Sequence, residues 1–440
     1  MGARPVIPRL DVFMQELIDS LDNCVRQSAF VSNRVGKIGG ADYRRLFRER
    51  RWGETTWMHW AASELEISDA LVTDIAAKLE PVLAKFVHPR TGRFGNGSFR
   101  LWGGPMRQAH PTVAEYAKTL ITAAARIGAP GVVALLLGWA AGEPLRYRTN
   151  SLLEGAVVDE ELHLTEGIRL SKLPTSGADI PASLPPFLMG ATVFDVIGGV
   201  VMSIDCEMFP ALYLPDVDES GQMLESKGRL VLASGQVPNL SENNFCESIS
   251  LASNGYVDWF LQWRDFGLLE AFTDMPSGTS HKVRSGARGT KVSQAGLDDA
   301  LKIHRARYDR SGPKENLELA MNRWIRSKRP GTDLDKLIDL RIAIEALYEI
   351  GGDNEKAFRI ATYGAWHLGE TFEKRLEIRE TLRKAYRDSS SAVHAGKLKY
   401  AAKEPDLVSS AQNVCRDGIL KRLKETTRPK WEEIILGIHE

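Results

Sequence analysis

The chain has 440 residues, with 57 Lys and Arg balanced by 57 Asp and Glu. At about 100–200 residues per domain there is room for two or three, and a net charge of zero excludes a global field drawing the chain to nucleic acid or membrane. The four cysteines, Cys24, Cys206, Cys246 and Cys415, are scattered without a C-x-x-C pair. They indicate neither a zinc site nor a disulfide framework, and a reducing cytoplasm is the expected setting.

Met1 to Pro5 lacks the charged start and apolar core of a signal peptide. From Leu10 to Arg26, apolar residues recur at helical spacing, and the pattern predicts a helix. Between Asp42 and Trp60, five arginines interleave with Tyr43, Phe47, Trp52, Trp57 and Trp60. Charge plus stacking of this kind binds single-stranded nucleic acid, whereas a solvated helix face beside core tryptophans gives the same pattern. Asp69 to Val87 predicts an amphipathic helix capped by Ser68.

The glycine-rich stretch Gly92 to Gly104 lacks the order of a phosphate-binding loop, so its Asn-Gly pair is read as a hairpin turn or surface loop. Two helices follow, Pro111 to Ile127 and Gly131 to Ala141, split at Gly128-Ala129-Pro130. The second includes the most apolar run of the chain, Gly131 to Gly142, which is too short for a bilayer requiring about twenty residues. It is read as a buried helix, and no membrane association is expected.

The period changes at Pro144. Leu145 to Leu173 alternates apolar and polar residues, which predicts strands and turns. Pro174 to Pro186 is read as a surface crossing. Val193 to Ile204 and Arg229 to Ala233 are further strands, separated by an acidic solvated loop from Asp216 to Lys227. Phe245 to Phe266 mixes strand and helix signals and ends in a core-forming aromatic group. Gly, Ser and basic residues then dominate Pro276 to Gln294, the pattern of a flexible basic linker. Lys282, Arg284 and Arg288 there, with Arg323 and Arg326 beyond, form either a phosphate-attracting RNA surface or solvated charged faces.

Helix-forming runs punctuated by Gly and Pro fill the remainder, without a strand pattern. The fold class is α+β and multidomain. It comprises a helical N-terminal region (1–143), a β-rich region (144–275) that together with it forms a sensor, a linker (276–295) and an all-helical bundle (296–440). Within the bundle, Glu373 to Lys384 is rich in strong helix formers and leads into Tyr386, Arg387, Asp388, Ser389, Ser390 and His394. If the helix continues, Arg387 and His394 lie two turns apart on one face. A guanidinium fork holds phosphate oxygens, and an imidazole moves a proton near neutral pH. Alternatively, Arg387 is solvated and His394 is a helix-end residue before the stop signal Gly396. Glu345, beside an apolar stripe, is expected to meet Arg341, Arg359 or Arg387 across the bundle.

The run Asp335 to Leu347, the Arg359-Ile360-Ala361 helix and the Tyr386-Arg387…Val393-His394-Ala395-Gly396 segment occur in this order over the last third of the chain. Together they resemble the HEPN superfamily, particularly its Apea-like branch. The resemblance implies a compact, usually dimeric helical bundle. It also implies a metal-independent endoribonuclease whose Arg and His are four to six residues apart, here Arg387 and His394, with six residues between them. Ser389-Ser390 stand where Apea-like members often carry Arg-Ser, so either Arg387 supplies the cation from further back or the site has lost it.

The chemistry so implied is 2′-hydroxyl transesterification, which needs no metal or cofactor. Asp388, Ser389 and Ser390 would orient imidazole or phosphate, and Glu345, Arg359 and Tyr386 would support Arg387. The protein would be a homodimeric bacterial antiviral or toxin effector held in check by its N-terminal region, which senses an unidentified trigger. The competing reading is a degenerate HEPN module binding RNA, nucleotide or a protein partner. An N-terminal ligand-handling enzyme ranks last, because no paired-acid, triad or metal motif is present.

Overall fold

The computed structural model describes residues 10–32, 36–39, 42–45, 64–96, 110–173, 198–222, 231–232, 240–265, 267–272, 280–287, 289–308, 315–348, 356–395, 398–425, 429–431 and 433. The fold is mixed α and β, with a helical N-terminal segment, a sheet-containing middle and a helical C-terminal region. Among the described residues no helix is long and apolar enough to cross a membrane.

The N-terminal segment holds α1 (Leu10–Gln27), the short strands β1 (Ala29–Ser32), β2 (Gly36–Gly39) and β3 (Glu64–Glu66), α2 (Asp69–Leu83), β4 (Gly95–Asn96), α3 (Val113–Ile127) and α4 (Ala129–Ala140). Its starts and stops are chemical. Ser68 accepts the Leu71 amide to cap α2, and Thr112 and Glu115 form a reciprocal capping box on α3. Gly128, at φ +97, ends α3 and opens α4, with Pro130 in the first turn. α4 is the apolar run that was read as buried, and Val132, Val133, Leu136 and Trp139 face the core.

Of the basic-aromatic stretch, residues 42–45 are described and helical, and 46–60 lie outside the described residues. Tyr43 is fully buried and stacks on Phe30 with ring centroids 3.8 Å apart. Arg44 donates to the Ala124 and Ala125 carbonyls at the end of α3. This described part is core and helix cap.

The middle is an antiparallel sheet built from β5 (Leu145–Glu154), β7 (Leu162–Leu164), β8 (Ile168–Lys172), β9 (Val200–Phe209), β11 (Val231–Leu232), β12 (Asp258–Asp265) and β13 (Ser280–His281). The spatial order is β13-β12-β5-β9-β8-β7, with β11 also on β9. β5 and β9 pair along their length, from Leu145 opposite Met208 to Leu153 opposite Val200. Two-residue strands sit beside it: β6 (Ala156–Val157) with β14 (Thr290–Lys291), and β10 (Leu212–Tyr213) with β4. One end of the sheet shares a core with α1–α4 through Leu145, Tyr147 and Met208. Elsewhere Ile168, Leu170, Met202 and Ile204 pack against α5 (Glu242–Ala252) and α6 (Gln294–Tyr308). Pro174–Pro186, most of the Gly92–Gly104 stretch and the acidic loop beyond Gln222 lie outside the described residues. In that loop's described part, Asp218 closes a turn by accepting Ser220 Oγ at 2.7 Å and the Gln222 amide at 2.8 Å.

Two boundaries differ from the sequence reading. The expected linker is bound to the sheet: β13 pairs with β12, the Ser285 and Gly286 amides donate to Glu154, and Thr290 bonds Gly155. Gly155, at φ +83, lies so close to Tyr256 that an added Cβ would come 2.1 Å from its carbonyl oxygen. The helix expected to open the bundle, α6, places Leu297, Ala300 and Leu301 in the sheet core. The bundle therefore begins at α7 (Glu315–Lys328) and continues with α8 (Asp333–Tyr348), α9 (Lys356–Leu368), α10 (Phe372–Ala395) and α11 (Leu407–Lys424). Its core centres on Trp324, Leu340, Tyr348, Leu382, Ile419 and Trp431.

Candidate active site on α10

Helix α10 starts at Thr371, whose hydroxyl accepts the Lys374 amide, and runs unbroken past His394. Ile378, Leu382, Ala385, Tyr386, Ser389 and Ala392 form its buried stripe. At 100° per residue, Phe372, Leu376, Arg379, Arg383, Arg387, Ser390 and position 394 share the opposite face. Arg387 is exposed, and the two-turn spacing to His394 places their Cα atoms roughly 10 Å apart along the axis. The His394 side chain and Arg288 lie outside the described residues.

Arg387 has a partner that the sequence reading missed. Its guanidinium acts on the Tyr400 phenol and lowers that phenol's pKa, and Lys399 and Arg383 act in the same direction. Asp388 explains how Tyr400 reaches α10. Its carboxylate is fully buried and accepts the backbone amides of Lys399 at 2.9 Å, Tyr400 at 2.9 Å and Ala401 at 2.6 Å. Three N–H donors compensate a buried charge that would otherwise be very costly. The only sequence signal for this pair was a basic residue beside an aromatic shortly after Gly396.

Two supporting roles are corrected. Asp388 was expected to orient imidazole or phosphate, yet both its oxygens are spent on backbone amides. Ser389 was given the same role, but it is buried and donates to the Tyr386 carbonyl at 2.7 Å, turned into the bundle. Ser390 is half-buried on the exposed side of the helix.

Glu345 found one of its three candidate partners. Its carboxylate accepts Arg341 Nε at 2.9 Å and the Tyr386 hydroxyl at 2.7 Å, and Arg341 lies over the Tyr386 ring at 4.8 Å. Burial and the adjoining Glu345 carboxylate push the Tyr386 phenol up. Burial works against the Arg341 charge, but the Glu345 and Tyr386 bonds outweigh it and raise its pKa. This cluster ties α8 to α10 one residue before Arg387. Arg359 is half-buried on α9.

The basic residues expected to contact RNA divide in two. Arg323 is bound to Asp339 at 2.9 Å, and Lys282 bonds Asp258 and Asn243 while lying over the Trp259 ring. Arg284 lies over Phe260 at 4.6 Å, and Arg326 is exposed on α7. Among the described residues no three His, Cys, Asp or Glu side chains gather closely enough to hold a metal ion. No protein-family model, no curated protein and no solved structure matches this chain.

Proposed function

We propose that the protein is a metal-independent endoribonuclease of HEPN type, working from the exposed face of α10. One observation carries the reading: Arg387 is exposed on an unbroken helix two turns before His394, beside a phenol whose pKa it lowers. Arg387 holds the scissile phosphate and stabilises charge developing on its oxygens. His394 takes the proton from the ribose 2′-hydroxyl or returns one to the departing 5′-oxygen. The 2′-oxygen attacks phosphorus as the bond to the 5′-oxygen breaks, leaving a 2′,3′-cyclic phosphate and a 5′-hydroxyl. Lys399, whose amide is held by Asp388, extends the cationic face available to the backbone.

In this reading two copies pair through the bundle. Phe372 and Leu376 support that, being 74% and 48% exposed on the same face as the three arginines. The sheet and N-terminal helices form a sensor restraining a cytoplasmic antiviral or toxin effector. The same exposed apolar residues favour a second reading, a catalytically degenerate bundle that docks a protein partner. The two separate when the full-length protein is incubated with total RNA and a chelator. The nuclease reading expects cleavage that disappears in His394→Ala, and RNA left intact by the wild type contradicts it.

A further inference from the structure

A second polar cleft lies away from α10, at the seam between the sheet and the bundle. It has a volume of about 300 Å³, at the small end for ligand pockets. Val257 and Ile325, both buried, form its apolar floor. Its walls come from α5, the start of β12, Lys282 and one face of α7. On α7, Asn322 and Arg326 are four residues apart, and Arg329 follows after three more, so all three reach the cleft from one side.

Both carboxylates in the cleft are already engaged. Glu247 receives Arg307 at 2.6 Å. Asp258 receives Lys282 at 2.9 Å and the Tyr256 hydroxyl at 3.3 Å. Lys282 is engaged with Asp258 and Asn243, and the two arginines are less committed. Arg326 is exposed and, among the described residues, neither it nor the Asn322 amide has a side-chain partner. Arg329 makes a loose ion pair with Asp258 at 3.9 Å and lies over the Tyr256 ring. Beside the two engaged carboxylates, Lys282 and Asn243, the empty space is lined by a guanidinium fork, a second guanidinium and a carboxamide, over a small apolar base.

From this we infer that the cleft binds the phosphate group of a small ligand, a phosphomonoester or a diphosphate, which bridges the sheet and the bundle. A guanidinium fork matches phosphate oxygens two at a time, and Arg329 neutralises the second charge. The carboxamide of Asn322 donates a further bond. A ligand held from both sides stabilises the joined arrangement over the separated one, so occupancy at this seam couples the sheet to the bundle. The inference does not depend on Arg387 or His394 and stands whether or not they cleave RNA.

Inorganic pyrophosphate, titrated into the full-length protein by calorimetry at physiological ionic strength, is the test. Saturable binding is expected, with a rise in melting temperature at saturation. Arg326→Glu and Asn322→Asp should each weaken it about tenfold or more, since each removes a donor to a charged group and adds repulsion. Arg90→Glu, at an exposed site elsewhere, should leave it unchanged. No binding by the wild type overturns the inference, as does equal binding by Arg326→Glu, or equal loss in Arg90→Glu. A single-stranded oligoribonucleotide distinguishes the source of the phosphate. If Arg326→Glu loses RNA retention while pyrophosphate fails to bind the wild type, the polymer occupies the cleft and the small-ligand assignment falls.

Discussion

Both carboxylate oxygens of Asp388 accept the backbone amide of Tyr400 at 2.9 Å, in a position closed to solvent. That contact fastens the chain after α10 back onto the helix and delivers a phenol to Arg387. Asp388 thus holds the segment that carries Tyr400 against α10. Asp388→Ala leaves the N–H groups of Lys399, Tyr400 and the buried Ala401 without their acceptor. The expected cost is about 3 kcal/mol or more, read as a lower urea midpoint at unchanged slope. A stability within about 0.5 kcal/mol of the wild type contradicts the role.

Arg387, with Lys399 and Arg383, makes the Tyr400 phenol easier to ionise than ordinary tyrosine. Ultraviolet titration of phenolate absorbance should show one group ionising early, and Tyr400→Phe should remove it. Arg387→Ala should move that group back toward the usual tyrosine range, with Lys399 and Arg383 keeping part of the lowering. A titration unchanged in Arg387→Ala contradicts the contact.

Lys328 supplies a pH dependence unrelated to the site. Burial, with Arg416 and Lys336 nearby, pushes its pKa down from 10.5 to about 8. Between those two values the unfolded chain binds more protons than the folded one, so stability rises with pH across that window. Below it the folded state bears the cost of holding a charged ammonium in a partly buried site, reduced by the solvent that still reaches it. Lys328→Met keeps an apolar stem beside Trp324 and removes the charge. It should stabilise the protein at neutral pH and flatten the stability profile between pH 8 and 10.5. An unchanged slope there counts against the shift.

Much of the architecture was legible in the sequence, for identifiable reasons. The helix formers from Glu373 to Lys384 announced α10, the Gly128 break separated two helices, and alternation from Leu145 announced the sheet. What escaped was the choice of partner. The Gly- and Ser-rich segment around Lys282 has a linker's composition, but its amides are taken up by Glu154 and a sheet edge. The apolar stripe of α6 declared that one face is buried without saying that the sheet, rather than the bundle, covers it. Asp388 and Ser389 looked like site residues because polar side chains on a helix are usually solvated. Their acceptors and donors come from the main chain of a following turn and of the helix itself. Glu345 was read correctly as paired, and geometry chose Arg341 among its three candidates.

The pairing of Glu345 with Tyr386 predicts a graded effect on the site. Tyr386→Phe removes one bond to a half-buried carboxylate that keeps Arg341, so the loss should be about 1–2 kcal/mol. Glu345→Ala should cost more, because it strands both the Arg341 guanidinium and the Tyr386 hydroxyl. Chemical denaturation of the two variants checks the order, and a Tyr386→Phe protein weaker than Glu345→Ala reverses it.

The chemistry at α10 is read from the ends of the RNA fragments. A defined single-stranded oligoribonucleotide is incubated with the protein in excess chelator, and the products are weighed by mass spectrometry. The wild type should give 2′,3′-cyclic phosphate and 5′-hydroxyl ends, and Arg387→Ala and His394→Ala should cleave at least about a hundredfold more slowly. An intact oligonucleotide, or the same fragments at the same rate from all three proteins, contradicts that chemistry.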